Sequence, residues 1–381
     1  MNIGVMFWSR SVEHDVSITS AYGVMKGLEK IGKYTIHPIY VTRSGKWIYD
    51  TALIEISAFK GFDEKNYDSQ EVKIVAGKEK KLVLEVSGSG WLAKSQKVEL
   101  DFVFPVFHGV NGEDGAIQGL LDMFQVPYMG PSISGSAIGM NKVIMKNVFS
   151  ALNLPITKYL VFKKGTESLE TIEQSIPYPL IVKPANLGSS IGISRVHNQA
   201  DLKNALEVAF YYDQFVIVEE CVQNLVELNC SVSEKNGEVI TSLVEQPVSQ
   251  SDFLSFEEKY IASDGGTMQW VKNKVKIPAD IPEELAKKIQ EYSRTIYTGL
   301  FCNGGAPRID YLYDSKNQKL YVNEINTIPW ALQMHLWVKS GMEVRDFLEN
   351  LIAVGLQKAK DKEINIDFQS NIIWHTIDFM K

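Results

Sequence analysis

Four polar residues at alternating positions could form a site for a metal ion and a phosphate. They lie in a stretch that begins at Arg308 and reads RIDYLYDSKNQKLYVNEINTIP. The pattern predicts two strands joined by a polar turn. Residues two apart in a strand share a face. A hairpin centred on Asn317 therefore pairs Asp310 with Glu324 and Arg308 with Asn326 on one face.

The predicted face carries two carboxylates, one amide oxygen and one guanidinium. Hard cations such as Mg²⁺ take oxygen ligands of this kind and often share them with a phosphate. The adjacent Arg308 suits negative charge that develops on a transferring phosphoryl or acyl group. The alternative is a cross-strand salt-bridge cluster on a solvated face, and the hairpin alone does not decide between the two.

A second candidate segment begins at Tyr178 and reads YPLIVKPANLGSSIGISRV. It predicts a strand ending in Lys183, a loop with Gly188, Ser189 and Ser190, and a return strand at 191–196. Glycine lets a backbone approach a phosphate, while hydroxyls and amides donate to its oxygens. No Walker A motif is present. The alternative is an ordinary β-hairpin with a glycine turn.

Two other loops have the composition of ligand contacts. The sequence HGVNGEDG, from His108, follows a buried strand and precedes a helix, which favours a backbone-rich loop for a small polar ligand. A tight turn with Asp114 near the helix start is the alternative. Residues 251–266, SDFLSFEEKYIASDGG, are typical of a lid, with Lys259 and Tyr260 as its candidate contacts.

The other elements must hold these loops together. A strand, a helix and a strand over residues 2–41 predict a parallel sheet, with ligand groups at the strand ends. The turn at 9–15 lies at such an end and lacks a G-x-G-x-x-G motif. Segments 46–49 and 81–85 could be strands of a hairpin-like insertion, and a helix is predicted at 137–151.

Size and composition exclude several classes of protein. The chain has 381 residues, enough for two or three domains, and a net charge of −7, which argues against nucleic-acid or anionic-membrane partners. No apolar run approaches the ~20 residues of a membrane span, and the N-terminus does not resemble a signal peptide. Three cysteines without a C-x-x-C motif favour a reducing cytoplasm.

Four of these segments, in this order, resemble a known family. The sequences VFPVFHGVNGEDGAIQGLL, YPLIVKPANLGSSIGISRV, FEEKY and NEINTIP are similar to those of D-alanine–D-alanine ligases of the ATP-grasp superfamily. The resemblance implies an α/β (α+β) fold of three domains, with ATP held between the central and C-terminal ones. The corresponding ranges are an N-terminal substrate domain at 1–131, a central ATP-grasp subdomain at 132–222 and a C-terminal ATP-grasp domain at 223–381.

The resemblance also implies roles for individual residues. ATP contacts would come from Lys142, Lys183, Ser190, Glu219, Val222, Glu227 and Lys259. Two Mg²⁺ ions, for which Mn²⁺ could substitute, would bind Asp310, Glu324 and Asn326. The catalytic set would be Asp15, Ser189, Tyr260 and Arg308, with Asp15 where the family usually has a Glu that anchors the first amino acid's ammonium. His108, Trp330 and His335 would contact the amino acids. The implied partners are D-alanine and a second copy of the chain.

The chain departs from the family pattern at three positions, two of which lie on the side of the second amino acid. Trp330 replaces a Gly whose amide belongs to the oxyanion hole, His335 replaces a carboxylate-binding Ser, and Asn141 replaces an Asp. The first hypothesis is a ligase that makes D-alanyl-D-alanine for peptidoglycan. The second is the same activation with another acceptor amino acid. The third is a nucleotide-binding regulatory protein without catalysis, against which the intact Lys183 and Arg308 argue.

Overall fold

The computed structural model describes residues 1–7, 11–87, 96–248 and 275–362, and the single positions 370, 372, 373 and 376. The predicted lid, with Lys259 and Tyr260, lies outside these residues, so its role stays a prediction. Within the described ranges, every helix is too short or too polar to span a bilayer.

The N-terminal part begins with the predicted parallel sheet. Its strands are β1 Asn2–Phe7, β2 Thr35–Val41, β3 Trp47–Tyr49 and β7 Phe102–Pro105, in the order β3-β2-β1-β7. Helix α1, His14–Ile31, connects β1 to β2, and β1 pairs in parallel with β2 and β7. Parallel neighbours require such a crossover. The strand–helix–strand prediction is confirmed.

The segment between β2 and β7 contains short 3₁₀ helices and a second sheet. The 3₁₀ helices are Thr51–Ile54, Ile56–Phe59 and Glu64–Gln70, and the strands are β4 Val72–Ala76, β5 Leu82–Val86 and β6 Gln96–Leu100. The central strand, β5, pairs antiparallel with β4 and β6. The two segments expected in one insertion are both strands, but they lie in different sheets, because β3 pairs with β2.

The central sheet is antiparallel and carries the predicted glycine–serine segment. Its strands are β8 Tyr159–Lys163, β9 Leu180–Pro184, β10 Ser194–Val196 and β11 Phe215–Glu220, in the order β10-β9-β11-β8. Helices α5 Leu169–Ser175 and α6 Gln199–Tyr212 cover one face with an apolar core. The return strand is shorter than predicted, because residues 189–192 turn instead.

The C-terminal sheet contains the predicted hairpin. Its strands are β12 Leu225–Lys235, β13 Glu238–Thr241, β16 Arg308–Asp314 and β17 Lys319–Asn326, in the order β13-β12-β16-β17. Two short strands, β14 Gln246–Pro247 and β15 Val275–Lys276, pair beside it, and helix α7 is Glu283–Gly299. One face of the hairpin is apolar and buried against α7, which leaves the polar face toward the central sheet.

A bulge in the hairpin sets its register. Near the turn, Tyr311 pairs with Val322, but at the polar end Asp310 pairs with Glu324 and Arg308 with Asn326. The extra residue that makes this shift is Asn323. Since side chains alternate with period two, the unshifted register would turn Glu324 and Asn326 away from Asp310. The predicted pairing is confirmed, and the bulge is the reason that it holds.

Two helices occupy the range where one was predicted. They are α3 Ile133–Met140 and α4 Lys142–Ala151, and between them Asn141 has φ −96° and ψ 104°. The Asn141 side chain accepts hydrogen bonds from the backbone N–H groups of Val143 and Ile144, both at 3.0 Å. This N-cap starts a second helix. It makes Lys142 the first residue of α4. The other N-terminal helix, α2, is Ala116–Met123.

The last helices return to the N-terminal sheet. They are α8 Met334–Lys339 and α9 Val344–Asp361, preceded by a 3₁₀ turn at Trp330–Gln333. Phe347, Leu348 and Leu351 of α9 belong to the same buried cluster as Ile3 and Val5 of β1. The C-terminal residues thus complete the N-terminal core. The domain ranges 1–131, 132–222 and 223–381 remain our proposal.

One buried lysine on α9 makes stability depend on pH. Lys358 Nζ donates to the Gly130 carbonyl at 2.6 Å and lies 3.7 Å from the centre of the Tyr128 ring. Burial, together with the charge of Lys362, lowers the pKa of Lys358 from 10.5 to about 7. Between these pH values the unfolded chain binds a proton that the folded chain does not, so stability rises with pH.

We predict that this pH dependence disappears in Lys358→Met. From pH 7 to pH 9, the unfolding free energy of the wild type should rise by about 2 kcal/mol more than that of the variant. Denaturant titrations at several pH values measure the difference. Parallel pH profiles for the two proteins would contradict it.

Candidate active site

A cavity between the central and C-terminal sheets collects most of the predicted site residues. It is bounded by the glycine–serine loop, the end of β11, the polar face of the hairpin and the turn after it. The predicted residues that line it are Lys142, Lys183, Ser189, Ser190, Glu219, Val222, Glu227, Arg308, Asp310, Glu324, Asn326, Trp330 and His335. Asp15 and His108 do not line it.

The hairpin face is a network of paired charges. Arg308 donates to both carboxylate oxygens of Asp310, at 2.6 and 2.7 Å, and Asn326 donates to one of them at 3.0 Å. Lys142 Nζ lies 3.2 Å from Glu324 Oε2. The face therefore carries the two carboxylates and the amide that the sequence predicted, with a cation against each carboxylate.

The donor set fits a hard divalent cation that also takes phosphate oxygens. Asp310, Glu324 and Asn326 supply oxygen atoms only, which Mg²⁺ prefers. In the described part of the chain, no group of three or more His, Cys, Asp or Glu side chains is arranged to hold a metal ion. Two carboxylates and an amide would thus need further ligands, and a nucleotide phosphate would provide them.

A buried carboxylate bridges two lysines beside the hairpin. Glu219 Oε1 lies 3.0 Å from Lys183 Nζ and 3.2 Å from Lys146 Nζ, and Thr157 donates to Glu219 Oε2 at 3.0 Å. Burial alone would raise the pKa of Glu219, but Lys146 and Lys183 outweigh it and lower this pKa to about 2. The Glu219 carboxylate thus forms ion pairs with two lysines. Val222, three residues further along the chain, lines the cavity.

The glycine–serine loop closes over this region. Lys142 Nζ donates to the Leu187 carbonyl at 2.7 Å, and Ser189 and Ser190 have φ of 55° and 60°. The Ser189 hydroxyl donates to Glu13 Oε1. A Cβ atom at Gly188 would lie 3.3 Å from Glu13 Oε2, a tight contact that glycine avoids.

Glu13, and not Asp15, brings an N-terminal carboxylate to the cavity. Glu13 is buried and lines it, whereas the Asp15 side chain is 86% exposed and lies 3.7 Å from Arg43. Helix α1 starts at His14, so Asp15 is in its first turn and faces solvent. The sequence prediction chose Asp15 as the anchoring acid, whereas the acid that lines the cavity is Glu13. Both acids occur in the same polar turn, which made them hard to distinguish.

Sequence reasoning also missed the role of Glu113, within the motif HGVNGEDG. Its carboxylate accepts hydrogen bonds from the N–H groups of Gly109 at 2.9 Å and Ile328 at 3.1 Å. Glu113 thereby connects the HGVNGEDG loop to the segment that follows the hairpin. Burial and the charge of Glu13 raise the pKa of Glu113 to about 8. The sequence gives no signal for this contact, because Glu113 and Ile328 are 215 residues apart.

His108 acts behind the cavity wall. It is buried, its Nε2 lies 2.7 Å from Ser20 Oγ, and Ser20 Oγ accepts the N–H of Ala331 at 2.9 Å. Burial lowers the pKa of His108 to about 4, so the ring is neutral at pH 7. His108 thus holds the turn after the hairpin through Ser20, and its predicted contact with an amino acid stays a prediction.

The altered residues of that turn face the cavity. Trp330 Nε1 donates to Thr19 Oγ1 at 3.3 Å, which places the indole between α1 and the cavity. His335 Nε2 lies 3.3 Å from Glu245 Oε1, and the side chain of Glu245 is 5% exposed. A bulky ring and an imidazole–carboxylate pair therefore form this wall, where the family pattern has glycine and serine.

We predict that Lys146→Met destabilises the protein and weakens nucleotide binding. Lys146 is fully buried, and its removal leaves the Glu219 carboxylate with Lys183 as its one close cation among the described residues. Breaking a buried ion pair typically costs about 3–5 kcal/mol. Denaturant titration and ATP calorimetry measure the two effects. Lys158→Met, at an exposed lysine, is the matched control. Equal stability of both variants would contradict the prediction.

Comparisons with known proteins match this architecture over nearly the whole chain. The family model described as D-ala D-ala ligase N-terminus matches residues 2–131, and the one described as D-ala D-ala ligase C-terminus matches 148–353. A D-alanine–D-alanine ligase of Thermosipho melanesiensis is 36% identical over 374 residues, 98% of each chain. One of Thermosipho africanus is 37% identical over 369 residues, 96% of each chain.

Solved structures show the same fold. The D-alanine-D-alanine ligase from Coxiella burnetii has a TM-score of 0.76 at 24% identity, over 100% of this chain and 99% of its own. The VanG D-Ala:D-Ser ligase from Enterococcus faecalis has a TM-score of 0.75 at 30% identity, over 93% of this chain and 99% of its own. The α/β fold is thus the predicted ATP-grasp fold. The chain belongs to the D-alanine–D-alanine ligase family of ATP-dependent ligases.

Proposed function

We propose that this protein joins two D-alanine molecules, with hydrolysis of ATP to ADP and phosphate, into D-alanyl-D-alanine for peptidoglycan synthesis in the cytoplasm. The observation that carries the proposal is the cavity itself. The polar face of the hairpin, the glycine–serine loop and Glu13 all line this one cavity. We further propose two Mg²⁺ ions, replaceable by Mn²⁺, and a homodimer, which light scattering would test.

The nucleotide is bound by groups on both sheets. Lys142 and Lys183 lie at the cavity and offer positive charge to phosphates, and the Ser190 amide and hydroxyl lie on the loop that follows Lys183. Val222 and Glu227 also line the cavity, and we assign them to the adenine and the ribose. When bound, divalent ions neutralise charge on the phosphates, and the oxygens of Asp310, Glu324 and Asn326 are their proposed ligands.

The first D-alanine lies with its ammonium toward Glu13 in this proposal, which replaces the role assigned to Asp15. Its carboxylate attacks the γ-phosphate of ATP, and an acyl phosphate forms as ADP leaves. The amine of the second D-alanine then attacks the acyl carbon and displaces phosphate. Arg308 and the backbone N–H of Trp330 stabilise the oxyanion of that step, and one such donor is typically worth ~10²–10³ in rate.

A different acceptor amino acid is the second candidate function. Trp330, His335 and Glu245 lie on the cavity wall and give it a shape and a polarity that glycine and serine would not. The VanG relative, at 30% identity, is itself a D-Ala:D-Ser ligase, so acceptors differ among similar proteins. The two candidates share every step up to the acyl phosphate.

The deciding experiment measures ADP release with D-alanine as the sole amino acid, with mass detection of the product. D-Alanyl-D-alanine is the expected product. ADP without this dipeptide would move the assignment to another acceptor, which a panel of second amino acids would identify. ATP binding without ADP release under any mixture would favour the non-catalytic hypothesis.

We predict a large loss of activity on substitution of Glu13 and almost none on substitution of Asp15. Glu13→Gln should lower kcat/KM for D-alanine by at least ~10²-fold, because a buried charge at the cavity loses its interaction with the ammonium. Asp15→Asn should change it by less than about threefold, since Asp15 is exposed to solvent. Steady-state kinetics of the two variants test the assignment. A large loss of kcat/KM in Asp15→Asn, with none in Glu13→Gln, would return the role of ammonium anchor to Asp15.

A further inference from the structure

Asn141 links the start of helix α4 to the glycine–serine loop. Its Nδ2 donates to Asn186 Oδ1 at 2.7 Å, although the two residues are 45 positions apart in the chain. Asn141 is the N-cap of α4, and Asn186 lies just after β9 of the central sheet. Both residues lie outside the set that lines the cavity. The contact therefore acts on the cavity from behind its wall.

Helix α4 shares the apolar core of the C-terminal sheet. Its residues Met145 and Phe149 belong to the same buried cluster as Ile309 and Ile325 of the hairpin. Met145 Sδ also accepts the N–H of Ile325 at 3.4 Å. The central sheet has its own apolar core, formed with α5 and α6. A link from α4 to the loop after β9 thus connects the two sheets that enclose the cavity.

The hydrogen bonds around Asn186 form a chain whose direction is fixed at both ends. At one end, Asn141 Oδ1 accepts the N–H groups of Val143 and Ile144, so its amide nitrogen must face Asn186. At the other end, Asp213 Oδ2 accepts the side-chain N–H of Asn186 at 2.8 Å and its backbone N–H at 2.7 Å. Asn186 therefore presents its oxygen to Asn141 and its nitrogen to Asp213.

The residue after Asn141 makes two further contacts with the same loop. The backbone N–H of Lys142 donates to the Ala185 carbonyl at 2.9 Å, and its Nζ donates to the Leu187 carbonyl at 2.7 Å. The start of α4 thus holds three consecutive residues of the loop. Lys142, Leu187 and Ser190 all line the cavity. The relative positions of the Lys142 ammonium and the loop hydroxyls therefore depend on this set of contacts.

We propose that Asn141 is a positioning residue for nucleotide binding, which fixes the glycine–serine loop against Lys142 and so arranges the donors that hold the phosphates. The inference rests on the proposed function, in which Lys142 and Ser190 contact phosphate. Asn141 itself does not touch the nucleotide in this account. A loop that is already ordered lowers the cost of binding. Loss of the link should therefore weaken ATP binding and leave the amino-acid subsites unchanged.

The test compares the full-length wild type with Asn141→Ser. Serine caps a helix about as well as asparagine, but its single hydroxyl does not supply the second group that reaches Asn186. Calorimetry with Mg-ATP, without D-alanine, should show a Kd about fivefold higher, the effect of one typical hydrogen bond. In steady-state assays the KM for ATP should rise by a similar factor, whereas the KM for D-alanine should stay unchanged.

Asn198→Ser is the matched control, because Asn198 caps α6 in the same way. Its Oδ1 accepts the N–H of Asp201 at 3.0 Å, and its Nδ2 donates to the Asp201 carboxylate at 2.8 Å. It lies outside the set of residues that lines the cavity, so this variant should bind Mg-ATP like the wild type.

Asn186→Ala removes the middle of the chain and leaves the α4 cap intact. It should raise the Kd for Mg-ATP as Asn141→Ser does. The double variant, Asn141→Ser with Asn186→Ala, should bind no more weakly than the weaker single variant, because both substitutions break the same link.

The outcomes distinguish the inference from the proposed function. An unchanged Kd for Mg-ATP in Asn141→Ser would overturn the inference and leave the ligase assignment in place. Additive losses in the double variant, or equal rises in the KM for ATP and for D-alanine, would also overturn it, since they would show a general loss of structure. A wild type that binds no Mg-ATP would overturn both. A wild type that binds Mg-ATP but does not use D-alanine would overturn the proposed function alone, because the calorimetric comparison still applies.

Discussion

The register of the C-terminal hairpin is the constraint on which the rest of the site depends. A one-residue bulge at Asn323 puts Glu324 and Asn326 on the same face as Arg308 and Asp310. Without it, two of these four groups would face the apolar core of the C-terminal sheet. The bulge also places Asn323 at the cavity, where its side-chain oxygen accepts a hydrogen bond from Lys183 at 3.4 Å.

Charge pairing explains how so many ionised groups share one cavity. Arg308 and Asp310 form a forked pair, Lys142 faces Glu324, and Glu219 lies between Lys146 and Lys183. Each pair offsets a desolvation cost that an isolated buried ion would not overcome. Phosphate and metal ions carry the same charges as these partners. Substrate binding can therefore exchange one set of ion pairs for another without exposing an unpaired charge.

Local patterns predicted much of this site, and long-range contacts supplied the remainder. Alternation in the hairpin predicted the Arg308–Asn326 face, and the order of Lys183 and the glycine–serine loop predicted that both reach one cavity. Glu13 was missed because a helix start decides which of two nearby acids faces inward. The Glu113–Ile328 contact and the turn at Trp330–Gln333 depend on packing between distant segments, which spacing along the chain does not encode. Asn141 was read as part of one helix, although its side chain caps the start of another.

We propose that this site activates a carboxylate by transferring a phosphoryl group to it. The most direct measurement uses D-alanine labelled with ¹⁸O in its carboxylate, followed by mass analysis of the inorganic phosphate. Transfer through an acyl phosphate leaves one carboxylate oxygen on the phosphate, so one ¹⁸O atom should appear per dipeptide formed. Unlabelled phosphate, with dipeptide present, would contradict the account.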